Sequence, residues 1–224
     1  MSSQERVRFL VETGEMHASA ETKAFIEQEV ERPSKQWVGE VMQSSRESEF
    51  VKLRTEDFVL LPDINCNRRV CKQVRGQHVQ ARAATPCKRF NWLAIVTDPS
   101  IKSIRDLRGE HVRMLEQLQS QCMAAIQREY QVEAGDVMVF ANYPPSVYRL
   151  HFHLCAPFFK PSAYDAFRMH PLSAIINNLR IHPEYYRLSS IQIPVHRNSD
   201  LYRTTGGAQE EEGDGFNNCS CLAR

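Results

Sequence analysis

In Tyr148-Arg149-Leu150-His151-Phe152-His153-Leu154, two histidines alternate with apolar residues. Side chains at i and i+2 of a β-strand share a face. Arg149, His151 and His153 therefore point one way, and Leu150, Phe152 and Leu154 the other. One face can close onto a core while the other offers two imidazoles and a guanidinium to an anion. An imidazole titrates near pH ~6.5, so at neutral pH it attacks phosphorus without first losing a proton. A serine would need a general base for the same task. The second histidine and Arg149 could neutralise the non-bridging oxygens as charge shifts in the transition state. Ser146 can donate from just before the strand. None of this calls for a metal or a cofactor. The competing reading is an amphipathic strand whose histidines only satisfy local hydrogen bonds.

The elements that must position this strand are legible in part. Trp92–Val96 is a continuous apolar run and reads as a buried strand. Val137–Asn142, the Tyr143-Pro144-Pro145 turn and Tyr148–Leu154 read as an antiparallel pair. Glu110–Tyr130 is the clearest helix, with Val112, Leu115, Leu118, Cys122, Ala125 and Ile126 at three- and four-residue spacing. Pro171–Ile181 is a second amphipathic helix, with proline suited to its first turn. Glu21–Val30 is a shorter helix stopped by Pro33. Gln36–Met42, Phe50–Leu53 and Phe58–Leu61 are strand-like, Ser44–Glu49 is a polar turn, and Ile191–Val195 reads as an edge strand that tolerates Pro194. The sum is an α+β fold, an antiparallel sheet with packed helices.

Composition sets the limits. At 224 residues the chain suits one domain with a real core. Its net charge of +1, from 28 basic and 27 acidic side chains, provides no global field for nucleic acid or membrane. The seven cysteines are scattered, which suggests reduced thiols in the cytosol or nucleus. No stretch reaches the ~18 apolar residues of a membrane span, and Met1–Arg6 lacks the apolar core of a signal peptide. Residues 1–18 read as a polar arm, 19–202 as the folded domain, and 203–224 as a disordered acidic tail. From Ile64 to Thr97 there is no acidic residue, while Arg68, Arg69, Lys72, Arg75, Arg82, Lys88 and Arg89 are basic. This insertion, about residues 66–91, is either a solvated loop or a collar for a polyphosphate or an RNA end.

Several segments in order extend the pattern. Residues 137–154 resemble the histidine-triad motif of the scavenger mRNA-decapping enzymes. Phe58-Val-Leu-Leu-Pro-Asp63, Ile101-Lys-Ser-Ile-Arg-Asp-Leu107, Glu110-His-Val-Arg-Met-Leu115 and His182-Pro-Glu-Tyr-Tyr186 resemble that family too. The resemblance runs from about residue 11 to about residue 202. It implies a histidine-triad-like α+β fold and hydrolysis of short capped remnants of mRNA decay, releasing 7-methylguanosine monophosphate. By motif position His151 is the nucleophile, His153 the third triad histidine, and Ser146 the serine before the motif. Gln36-Trp37-Val38 resembles the family's cap-stacking segment, and Glu47 and Asp63 fall where two carboxylates read the methylated guanine. The physics agrees, because 7-methylation makes guanine cationic: an indole face attracts it and carboxylates accept from its N–H edge.

The departures are specific. Arg149 replaces the first triad histidine, Asn142 the histidine in the preceding turn, Asn65 a phosphate-binding lysine, and Cys66 a tryptophan. Arg68, Arg69 and Lys72 are candidates to replace the lost phosphate contact. The family's N-terminal swapped domain, which closes over the site, is not matched. The resemblance implies a capped dinucleotide or short capped RNA as partner, a homodimer, no membrane, and a cytoplasmic or nuclear location. Two alternatives stand beside hydrolysis of the cap: a cap-binding protein with little turnover, and a histidine-triad hydrolase of other nucleotides.

Overall fold

Alternation along three neighbouring strands decides which face of the sheet carries the histidines. The computed structural model describes residues 7–43, 50–63, 90–156 and 161–205. It begins with β1 (Val7–Glu12), α1 (Gly14–Ala18), α2 (Ala20–Glu31) and α3 (Trp37–Met42), followed by β2 (Leu53–Arg54) and β3 (Phe58–Pro62). β4 (Asn91–Val96) leads to the long helix α4 (Val112–Tyr130), then β5 (Met138–Asn142) and β6 (His151–Cys155). α5 (Ala163–Arg168), β7 (Met169–Pro171), α6 (Leu172–Ile181), α7 (Tyr185–Leu188), β8 (Ile191–His196) and α8 (Asp200–Thr204) complete the described chain.

Among the described residues, six strands form one antiparallel sheet in the order β2-β3-β4-β6-β5-β7. Phe58 and Leu60 of β3, Trp92, Ala94 and Val96 of β4, and Phe152 and Leu154 of β6 enter the main core. There they meet Leu115, Leu118, Cys122 and Ile126 of α4 and Leu172, Ile175, Ile176 and Leu179 of α6. Val59, Leu61, Leu93 and Ile95 point to the opposite face and form a second cluster with Val38 and Val41 of α3. His151 and His153 share that second face, opposite Ile95 and Leu93 in the strand register. The period of two thus puts the imidazoles on the smaller, partly covered side of the sheet.

The α+β architecture matches the expectation, and three local readings are corrected. Gln36–Met42, read as strand-like, is helical from Trp37. Its buried residues, Val38 and Val41, are three apart, the spacing of one helix face, although valine favours strands. The polar arm is corrected over residues 7–18: Val7–Glu12 is a strand, and Thr13 caps the helix that follows. Ile191–Val195 is a strand as expected, yet it pairs with β1 in a separate two-stranded sheet rather than at the edge of the main one. Within that pair Pro194 lies opposite Phe9.

β1 is tied to the core through its last residue. Glu12 is 2% exposed, and its carboxylate receives Arg105 Nη2 at 2.9 Å and Nε at 3.1 Å. Arg105 also donates to the carbonyls of Tyr186 (2.9 Å) and Ser189 (2.6 Å). The Tyr143 hydroxyl donates to the same carboxylate. Burial would raise the Glu12 carboxyl, but hydrogen bonds from His17 and Tyr143 and the Arg105 charge outweigh it and hold it below the usual range.

Candidate active site

His151 opens β6, between β4 and β5. Its Nδ1 lies 2.7 Å from the carbonyl oxygen of Arg149. A carbonyl only accepts, so Nδ1 carries the proton and Nε2 keeps a lone pair. His153 stacks on Phe140, with centroids 5.2 Å apart, and its Nε2 lies 3.3 Å from Nδ2 of Asn142. Asn142 therefore reaches the site through His153, while its own Oδ1 is buried without a partner among the described residues.

Burial disfavours the charged form of both imidazoles. Burial lowers the His151 pKa, and the Arg168 and Lys35 charges lower it further, against the Arg149 carbonyl and the Asp63 charge. Burial, then the His151 and Arg168 charges, push His153 down to about 3. A lowered pKa means that the neutral, nucleophilic form survives to more acid pH than in a free imidazole. In an NMR titration the His153 ring signals are expected to remain those of neutral imidazole at about pH 6, where a free imidazole is mostly protonated, and the His151 signals to titrate below the free value. Half-titration near pH ~6.5 would contradict this environment.

A cavity of about 150 Å³ gathers Trp37, Asp63, Ser146, Arg149, His151 and His153, over an apolar floor of Val38, Leu93, Ile95 and Val147. Trp37 comes from the first turn of α3 and is half-buried against the second cluster. Asp63 follows β3; its amide donates to the Asn91 carbonyl (2.9 Å), and its carboxylate accepts from Asn91 Nδ2 (3.1 Å). Arg149 precedes β6 rather than lying on it, and it donates from Nη1 to the Thr97 carbonyl while still lining the cavity. Glu47, Arg68, Arg69 and Lys72 lie outside the described residues, as do the polar turn, most of the basic insertion and residues 206–224 of the expected tail.

Three further residues shape the site without a signal in the sequence. The Lys35 ammonium donates to the Ser146 carbonyl across 111 residues of chain. Arg168 donates to the Pro144 carbonyl from Nε (3.0 Å) and Nη2 (2.6 Å), and its own carbonyl accepts from the Tyr143 amide (2.8 Å). This clamp fixes the turn that presents Ser146. Asn91 orients Asp63. Each acts through a contact distant in sequence, so no local spacing marks it. Together the cavity offers an imidazole with a free lone pair, a guanidinium for phosphate oxygens, and an indole with a carboxylate for a cationic base.

A family model described as "Scavenger mRNA decapping enzyme C-term binding" matches residues 36–165. The chain is 29% identical to m7GpppX diphosphatase of Bos taurus over 178 residues, 78% of this chain and 48% of that protein. It is 27% identical to m7GpppX diphosphatase of Mus musculus over 209 residues, 92% of this chain and 56% of that protein. The chain thus spans about half the length of the curated relatives it matches. Among solved structures, the aprataxin ortholog Hnt3 in complex with DNA is similar at 15% identity and a TM-score of 0.40, over 79% of this chain and 94% of that one.

Proposed function

This chain belongs to the scavenger mRNA-decapping enzyme family, and from that premise we propose that it hydrolyses 7-methylguanosine-capped dinucleotides or short capped oligonucleotides, releasing 7-methylguanosine monophosphate. The observation that carries the reading is His151, its Nδ1 tied to the Arg149 carbonyl, in one cavity with Trp37 and Asp63. Nε2 attacks the phosphorus next to the methylated nucleoside. The bond from that phosphorus to the bridging oxygen breaks, and a nucleoside or oligonucleotide diphosphate leaves. The imidazole gains positive charge as the P–N bond forms, and the Arg149 carbonyl stabilises it through Nδ1–H. Water then attacks the phosphohistidine, the P–N bond breaks, and the methylated monophosphate departs.

Ser146, Arg149 and His153, the last held by Asn142, contact the phosphates in this scheme. Arg68, Arg69 and Lys72 are additional phosphate candidates. Trp37 stacks on the methylated base, and Asp63 and Glu47 accept from its edge. No metal or cofactor enters these steps, so turnover is expected to persist with chelator. The substrate would be a remnant of mRNA decay in the cytoplasm or nucleus, and the active form a homodimer.

The test is incubation of the protein with a methylated cap dinucleotide and chelator, with the products identified by mass. Release of 7-methylguanosine monophosphate supports the proposal. Tight binding without product would instead favour a cap-binding protein, the reading to which Arg149 at the first triad position lends weight. Equal turnover of methylated and unmethylated caps would point to other nucleotide substrates. Replacing Asn91 with leucine removes the donor that orients Asp63. Hydrogen bonds to charged groups contribute about 1.5–3 kcal/mol, so the preference for methylated over unmethylated cap is expected to fall by roughly tenfold. An unchanged preference ratio would remove Asp63 orientation from the account of specificity.

A further inference from the structure

The catalytic cavity is too small for the whole substrate. Its volume is about 150 Å³, whereas small-molecule pockets run from roughly 300 to 1,000 Å³. A second cavity of about 370 Å³ lies against it, and the two share Val38, Val147 and Arg149. From that junction the second cavity follows α3 past Lys35, Gly39 and Gln43. It owes its openness in part to glycine: a Cβ at Gly39 would meet nothing within 4 Å. Any larger side chain there would project into space that the fold leaves empty.

Both cations and a carboxylate line this space. Lys35 and Arg149 both line it, and among the described residues each side chain makes one hydrogen bond, to the Ser146 and Thr97 carbonyls respectively. An ammonium has three donors and a guanidinium five, so both retain donors for phosphate oxygens. Glu40 and Gln43 also line it. A carboxylate repels phosphate but tolerates a sugar or a base edge.

Resting on the proposed cap hydrolysis, we infer that the second cavity binds the leaving side of the substrate. The phosphates of the departing diphosphate lie between Lys35 and Arg149, and its nucleoside lies along α3 over Gly39. Lys35 is then a substrate-binding cation that supplies a phosphate contact where the sequence has Asn65. Val38 and Val147 form the neck that separates the methylated nucleoside from the departing one.

The decisive variant is Gly39→Met, which fills the second cavity and has the higher helix propensity, so the helix should form as before. Turnover is compared for two substrates, a methylated cap dinucleotide and 7-methylguanosine triphosphate, which lacks the second nucleoside. The ratio of kcat/KM for dinucleotide over triphosphate is expected to fall by about tenfold or more relative to wild type. A ratio unchanged in Gly39→Met overturns the inference. If wild type turns over neither compound, the catalytic reading fails on its own. The same ratio is then read from dissociation constants: selective loss of dinucleotide affinity in Gly39→Met supports the subsite, and equal affinities overturn it.

Discussion

His151→Ala is expected to lower release of 7-methylguanosine monophosphate by about 10³-fold or more while leaving methylated-cap binding nearly intact. The size follows from the role: removal of a nucleophile eliminates the covalent route rather than weakening one contact. His153 is the other imidazole in the cavity, but its Nε2 is engaged with Asn142 and its ring is packed on Phe140. It is poorly placed to substitute. Binding should persist because the groups proposed to read the base, Trp37 and Asp63, come from other elements, α3 and the end of β3. The measurement is single-turnover hydrolysis beside equilibrium binding of the methylated cap. Loss of both in a folded variant would make His151 a binding group. Retained hydrolysis would remove it as the nucleophile. In wild type, rapid quench in alkaline denaturant should trap the labelled methylated nucleotide on the protein through a bond stable to alkali and labile to acid, and His151→Ala should trap none.

The histidine strand was legible because its information is local. Alternation in His151–Cys155 fixes both the strand and the face that each side chain takes, and three- to four-residue spacing does the same for α4. Trp37 and Asp63 were legible only through resemblance, since a tryptophan after a glutamine or an aspartate after a proline has many ordinary uses. The helix at Trp37–Met42 was missed because two valines and a tryptophan in six residues favour extended structure, while burial of Val38 and Val41 against the sheet decides for a helix. β1 was missed because its partner, β8, lies near the other end of the described chain. Lys35 and Ser146, Asn91 and Asp63, and Arg168 and Pro144 are contacts between distant segments. Such contacts depend on the completed fold and leave no periodic trace.

The same dependence on distant contacts makes Arg105 the most sensitive position outside the cavity. Arg105→Met would leave the Glu12 carboxylate buried without its cation, and breaking a buried pair from one side costs about 3–5 kcal/mol. For a chain of this length the melting temperature should fall on the order of 10 °C. Glu12→Gln together with Arg105→Met removes the stranded charge and should recover part of that loss. The pH dependence follows from the direction of the Glu12 shift. Its folded pKa lies below its unfolded one, so the pair stabilises fully above the unfolded carboxyl value of about 4.3 and loses its contribution as pH falls through the folded value. The gap in stability between wild type and Glu12→Gln should therefore narrow on acidification below about pH 4. A gap that is constant between neutral and acid pH would show that packing, not charge, makes the cluster stabilising. Activity should suffer beyond the loss of folded protein. Tyr143 donates to Glu12 and begins the turn that Arg168 clamps, and that turn presents Ser146 to the cavity. In the double variant, held well below its melting temperature, KM for the cap dinucleotide should stay near the wild-type value while kcat drops, because Trp37 and Asp63 are positioned independently of Tyr143. A normal kcat there would confine the cluster to stability and sever it from the placement of Ser146.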